Sequence, residues 1–411
     1  MLADVFNSIF IIDVRGIYLS LKKRKSGTNL EDVQEMNRSL VLKLVRKKQI
    51  CSRAELARDS GLNQSTITNI VNEMINSGLI VETGVIDGKK GRRSIGIKLN
   101  SEPYKIIGIR LTRKSIMAGL YDLQGNEYEF SQRSIEPGSG SVSALNQMKE
   151  MISEMIQKNK VGKVYAIGLA TPGPLLRDEG RIALMSNFPG WEKINIQEKL
   201  SNHFRIPVYV EHDAKAGGLA HWWYGDHQQD QGVMIFVTAG QGVGAGIVVD
   251  GTVYRGALGM AGEIGHMSID YNGPQCECGH RGCLELYCST SAILKNLGKD
   301  HSSLQSIWDS LKQGDPEIEE VVRQAAWYLG FGLVNVVNVY NPSHLVIGDE
   351  FSAAGSLLLD IVSQVIKDNV LPDIWSRLRI ELASNEKDYM LMGAATIAMN
   401  HLLDQPTIFM S

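Results

Sequence analysis

The chain has no apolar run approaching the ~20 residues that a bilayer-spanning helix needs, so a membrane-spanning helical protein is not expected. It is poor in cysteine: there are five, four of them between positions 276 and 288, with Cys51 alone. That is not the even spacing of a secreted disulfide framework, and a reducing, cytoplasmic location is expected instead. The order of charge that marks a signal peptide is missing too. The apolar run at 9–12 lies among Asp4, Asp13 and Arg15, and the basic run at 22–25 follows it where a leader would carry its charge first. Residues 1–30 read as a tail. At 411 residues the chain is too long for one ordinary core, and two or three domains are expected.

Net charge of one sign is also lacking, at −3, but this near-neutrality hides an asymmetry. Residues 36–100 hold twelve Lys/Arg against five Asp/Glu, a balance of +7 that leaves −10 for the rest. A basic module on an acidic body suggests a polyanion partner for the module alone. Ser52-Arg53-Ala54-Glu55 has the form of a capping box opening a short helix that ends at Ser60-Gly61. A second helix starts near Asn63 or Ser65, with Ile67, Ile70, Val71 and Met74 on one stripe. Its other face carries Ser65, Thr66, Thr68, Asn69 and Asn72, short polar side chains suited to phosphates and base edges in a major groove. After Gly78, two strands flank the basic loop 87–93. Arg92 and Arg93 at such a tip suit a minor groove. Residues 31–100 therefore read as a winged helix-turn-helix that binds double-stranded operator DNA. A solvated basic surface is the plainer alternative.

Further along, His266, Cys276, Cys278 and Cys283 fall within eighteen residues. Three thiolates and an imidazole close a tetrahedral zinc site with no open position, so the expected metal is structural Zn2+. Glu263 and Glu285 flank it. A nucleic-acid-binding finger is a weaker reading, since the segment is acidic and no basic helix follows. From Tyr104 onward, apolar strands alternate with helices: 106–109, 116–122, a helix over about 143–158, then 164–170. That order indicates mixed α/β sheets. The run 233–237 leads into Gly240, Gly242, Gly244 and Gly246, spaced so that a hairpin backbone can approach a phosphate or simply another backbone. A strand follows, so this is neither the dinucleotide fingerprint nor the P-loop.

Taken together, Gly240 to Gly246, Gly262-Glu263-Ile264-Gly265-His266, the cysteines ending in Cys283-Leu284-Glu285, and Leu391-Met392-Gly393-Ala394-Ala395 resemble the ROK family. That family comprises sugar kinases and the transcriptional repressors that share their fold, and the likeness covers about residues 28–400. It implies an α/β protein: the winged helix-turn-helix followed by a two-lobed actin/hexokinase-like (RNase H-like) body, with lobes at 101–225 and 226–411. The family's sugar site maps onto Asp213, Glu263, His266 and Glu285, with Gly173 and Asn187 lining the cleft. Asp213 as a helix cap and Glu285 as a surface ion-pair partner are the plainer readings.

Two departures bear on activity. Kinases of the family open the first lobe with Asp-x-Gly-Gly-Thr, where this chain reads Arg110-Leu111-Thr112-Arg113-Lys114; without glycines, backbone amides cannot reach a donor phosphate. His212 stands where kinases have Asn, which bears on sugar preference or on the pH dependence of binding. The resemblance thus implies a sugar-responsive repressor of carbohydrate-use genes without enzymatic activity. The alternative is a sugar kinase with an added DNA-binding arm. Operator symmetry implies a homodimer or higher oligomer, with the helix around 325–339, including Val334, Val336 and Val337, serving either dimer packing or the lobe's own core.

Overall fold

The computed structural model describes residues 29–87, 93–136, 138–183, 190–225, 231–298, 303–384 and 386–410. Contacts divide the chain into two compact units, residues up to Asn100 together with Leu402 onward, and Ser101–His401.

In the first unit, α1 (Leu30–Lys48) opens on Asn29, whose side chain accepts the Asp32 amide while Asp32 accepts that of Asn29. A two-residue strand, β1 (Cys51–Ser52), precedes α2 (Arg53–Ser60) and α3 (Gln64–Asn76). The Ser52 capping box forms as the sequence predicts: Glu55 donates its amide to the Ser52 hydroxyl at 3.3 Å and accepts the Ser52 amide at 2.9 Å. Ile67, Ile70, Val71 and Met74 are all buried. β2 (Ile80–Asp87) and β3 (Arg93–Leu99) pair antiparallel from Ile80↔Leu99 to Asp87↔Arg93, and β1 adds to β3 in the order β1-β3-β2. The last ten residues pack within this unit, apart from the lobe to which their position in the sequence assigns them: Asp404 pairs with Lys43, and Thr407 donates its amide and hydroxyl to Glu35.

The second unit holds two five-stranded sheets built on one plan. In the first, β4 (Tyr104–Leu111) runs antiparallel to β5 (Ser115–Asp122), which pairs with β6 (Glu127–Ser134); β4 is parallel to β7 (Lys163–Thr171), and β7 to β10 (Val208–His212). A small hairpin, β8 (Leu175–Leu176) and β9 (Arg181–Ile182), lies between β7 and β10 in the chain. In the second sheet β11 (Val233–Ala239) runs antiparallel to β12 (Val243–Val249), which pairs with β13 (Thr252–Val253). β11 is also parallel to β14 (His344–Gly348), and β14 to β15 (Arg379–Leu382). The helices are α4 (Gly140–Lys158), α5 (Ile196–Phe204), α6 (Asp213–Tyr224), α7 (Glu285–Cys288), α8 (Thr290–Leu297), α9 (Leu304–Lys312), α10 (Pro316–Tyr340), α11 (Ser356–Asn369), α12 (Pro372–Trp375) and α13 (Tyr389–Asp404).

Small residues set the spacing of these layers. The Leu391–Ala395 segment of α13 lies so close to the first sheet that a side chain at Gly108 or Gly168 would meet its backbone, and Gly393 lies against Ala216 of α6 in the same way. Val334, Val336 and Val337 are buried in the core of the second lobe, which settles them as packing residues there. Trp327, Phe331 and Val339 are the exposed apolar side chains on α10. Among the described residues no helix is long and apolar enough to cross a membrane.

Candidate functional site

A cleft of about 440 Å3 opens in the second unit, lined from both sheets by Arg110, Asp213, Glu263, His266, Glu285 and Asp349 among others. Its floor is the carboxyl end of β10, a usual ligand position in parallel sheets. There the chain turns from His212 into α6, and Asp213 accepts the Ala214 amide at 2.6 Å. Asp213 is thus the first residue of its helix, whose N-cap position is His212 with no side-chain cap, and it lines the cleft. Burial raises its pKa, opposed chiefly by the nearby Arg110 guanidinium. His212 is 5 % exposed, with Nδ1 3.5 Å from Asp213 and Nε2 3.9 Å from Glu263. Burial lowers its pKa to about 4, so the ring is neutral near pH 7. Ligand binding near neutral pH is therefore not expected to track the titration of His212, which lines the cleft as a neutral ring.

The Gly-Glu-Ile-Gly-His segment reaches the cleft because it lies directly on β12. Gly262 has φ +94° and would drive any Cβ into the Ala245 carbonyl; Ala245 in turn donates its amide to the Gly262 carbonyl at 2.8 Å. Only glycine fits there. This close approach fixes Glu263, whose Oε1 is buried without a hydrogen-bond partner, and turns His266 toward the cysteines. Leu284, fully buried against Gly332, anchors the start of α7, so that Glu285 comes within 3.3 Å of His266 Nδ1.

The candidate ligand atoms of His266, Cys276, Cys278 and Cys283 all lie within 4.8 Å of one another. Cys278 and Cys283 sulfurs are 3.6 Å apart, and Cys276 Sγ is 3.8 Å from His266 Nδ1. Metal–sulfur bonds of about 2.3 Å in a tetrahedron give ligand–ligand edges of about this length. Burial pushes the Cys283 and Cys276 thiols above their ordinary range, a cost that a bound cation would remove. The donor set fits zinc.

The opposite wall is where the kinase loop would lie. The β4–β5 turn is closed on Thr112: its hydroxyl accepts the amides of Lys114 at 3.1 Å and Ser115 at 2.9 Å. Those amides are then already used. Arg110, 12 % exposed on its side chain, is gripped by Asp349 at 3.0 Å and Asp388 at 3.0 Å. In the glycine-rich hairpin facing it, Gly242 and Gly244 line the cleft, while Gly246 makes room for the Ala214 carbonyl of α6. Part of that glycine spacing therefore serves backbone packing.

Gly173 lines the cleft beside Pro172 and Pro174. Asn187 lies outside the described residues. Asp349, Glu350 and Asp388 are cleft or cleft-wall residues that sequence reasoning missed; they lie more than a hundred positions from Asp213 and carry no local motif.

In the first unit, Ser65, Asn69 and Asn72 are exposed on α3, and Thr66 and Thr68 are half-buried. The Ser65 hydroxyl donates to Asn63, and Thr68 to the Gln64 carbonyl. Asn72 accepts from Arg53 at 3.2 Å, and Arg53 also pairs with Glu82 of β2 at 3.1 Å. Gln64 and Arg53 are exposed or half-exposed at the starts of α3 and α2, where a recognition motif makes its contacts, and neither was singled out from sequence. Arg93 is exposed at the start of β3; Arg92 and the rest of the 88–92 loop lie outside the described residues.

Comparison with known proteins agrees with this layout. The ROK family profile matches residues 106–401. The chain belongs to the ROK family. A winged helix-turn-helix DNA-binding profile matches residues 37–81. The xylose repressor of Bacillus spizizenii is 29 % identical over 374 residues, covering 90 % of this chain and 97 % of that protein. Among solved structures, a ROK family transcriptional regulator homologous to the E. coli MLC protein is 28 % identical with a TM-score of 0.78, covering 92 % of this chain and 98 % of its own. A ROK hexokinase from Thermus thermophilus is also 28 % identical, with a TM-score of 0.60, and covers 72 % of this chain and 97 % of its own.

Proposed function

We propose that this ROK protein is a sugar-responsive transcriptional repressor of carbohydrate-use genes, which binds operator DNA through residues 31–100 and senses a monosaccharide in the body. The carrying observation is the state of the cleft: Asp213, Glu263 and Glu285 line it together, while the β4–β5 turn opposite is closed on Thr112. The carboxylates of Asp213, Glu263 and Glu285 accept hydrogen bonds from vicinal hydroxyls, and charge-assisted bonds are the strong ones. The imidazole of His266, with Nδ1 toward the thiolates, keeps its other nitrogen for the ligand. His212 shapes the floor and Gly173 part of the wall, and Asn187 is a further sugar contact by the family resemblance.

A structural zinc on His266, Cys276, Cys278 and Cys283 would supply no chemistry beyond holding its four ligands together. Its effect is to fix the loop that presents Glu263 and the helix that presents Glu285. In the DNA-binding unit, Ser65, Thr66, Thr68, Asn69 and Asn72 read the major groove, and Arg92 and Arg93 reach the minor groove from the wing. Sugar acts by binding one of two protein states more tightly, which shifts the population that holds DNA. The repressor works in the cytoplasm as a homodimer or higher oligomer, as operator symmetry requires. Trp327 and Phe331, stacked with centroids 5.2 Å apart on α10, support packing against a second copy.

The second reading, a sugar kinase with a DNA-binding arm, is favoured by the retention of Asp213 and by the similarity to the Thermus hexokinase. One experiment separates them. A promoter fragment is titrated with protein in the presence of a monosaccharide panel, and ATP turnover is followed in parallel. The repressor reading expects one sugar to release DNA with no turnover above background; sugar-dependent turnover that Asp213→Asn abolishes would replace it with the kinase.

A further inference from the structure

The charge layout of the cleft names the class of effector, an inference that rests on the sugar-response reading. One side carries the hydroxyl acceptors Asp213, Glu263 and Glu285. The other, made by the β4–β5 turn and β6, presents Arg113 and Lys114 beside Gln132 and Ser134. These two cations differ from Arg110, whose guanidinium is saturated by Asp349 and Asp388. Among the described residues neither the Arg113 nor the Lys114 side chain has an ion-pair or hydrogen-bond partner, and Arg113 Nε is buried without one.

The carboxylates lining the rest of the cleft do not serve them. Asp349 is held by Arg110, and Glu350 accepts the Thr290 hydroxyl at 2.7 Å. Arg113 and Lys114 line the same cleft as Asp213, Glu263 and Glu285, so one ligand can meet both sets of groups. An unpaired guanidinium donor withdrawn from water is costly, and an anionic acceptor offsets that with a charge-assisted bond where a sugar hydroxyl would supply only a weaker neutral one. Because Thr112 already occupies the turn's amides, an anion here is held by side chains. That suits one compact anionic group better than a nucleotide's phosphate chain.

We propose that the effector is an anionic monosaccharide, with hydroxyls on Asp213, Glu263 and Glu285 and a phosphate or carboxylate on Arg113 and Lys114. The test is calorimetric titration of the full chain with glucose, mannose, N-acetylglucosamine and xylose, each beside its phosphate and, where one exists, its uronic acid, with inorganic phosphate as a separate arm. One anionic member should bind at least about tenfold tighter than its neutral parent, because its anion adds a charge-assisted hydrogen bond to the guanidinium. Arg113→Ala should bring that ratio close to one, and Arg113→Lys should keep part of it. The melting temperature of each variant checks that it folds.

The phosphate and uronate arms decide which anion is used. A neutral sugar that binds as tightly as its anionic forms, or an Arg113→Ala variant that weakens both alike, overturns this inference and leaves the sugar-response reading standing. Inorganic phosphate binding as tightly as the sugar phosphate also overturns it, since the hydroxyl side would then contribute nothing. Absence of binding by every member overturns the sugar-response reading itself.

Discussion

The two sheets of the body begin alike, each with a hairpin whose first strand also pairs in parallel with a neighbour, yet the two hairpin turns have diverged. The β11–β12 hairpin keeps Gly242 and Gly244 at the cleft, with Gly246 beneath α6. The β4–β5 turn has Thr112, Arg113 and Lys114, and closes on its own amides. The difference teaches that two turns in equivalent places can face one cleft with different chemistry, one with glycine backbone and the other with cationic side chains.

The largest effect should come from releasing what packs on the second hairpin. With Cys283→Ser, or with a strong chelator, the loop bearing Glu263 loses its tie to α7, and sugar affinity should fall by more than about a hundredfold, since outer supports of a site alone are worth 10–100-fold. Circular dichroism of isolated residues 29–100 before and after chelation would check that the first unit is indifferent to metal. Next is Gly246→Ala, whose new methyl would overlap the Ala214 carbonyl. It should cost roughly 3 kcal/mol in urea unfolding, and a cost near zero would mean that the hairpin glycines serve something other than packing.

Asp213→Asn removes one charge-assisted acceptor, and sugar affinity measured by calorimetry should drop about tenfold to a hundredfold. His212 supplies a pH signature. Its folded pKa of about 4 lies below the ordinary 6.5, so between those values the unfolded chain takes up a proton that the folded one refuses. Stability should therefore decline as pH falls from about 6.5 toward about 4, and His212→Asn should flatten that limb of the melting-temperature profile. The smallest effect is that of Thr112→Ala, which frees two amides and should cost about 1 kcal/mol. It should confer no ATP turnover, because Arg110 remains locked between Asp349 and Asp388.

Much of this was legible in the sequence where the signal is local. The Ser52–Glu55 box and the spacing of Ile67, Ile70, Val71 and Met74 follow from helix geometry, and the three cysteines with His266 fall in one short segment. What stayed hidden depends on distant parts of the chain. Asp349 and Asp388 meet Arg110 only because β14 and α13 are brought to the end of β4. Arg113 and Lys114 read in the sequence as the mere loss of a loop, and their unpaired charges are visible only beside the folded carboxylates. The four glycines of the second hairpin left packing and ligand approach equally open, and the position of Ala214 resolves Gly246 toward packing.

The most direct test of a cleft kept for sensing is the affinity of the full chain for its own promoter fragment, read by fluorescence anisotropy across the neutral and anionic sugar panel. The account predicts that one member raises the Kd for DNA at least about tenfold, within the usual range of coupling between sites. A Kd that no sugar in the panel changes would contradict it.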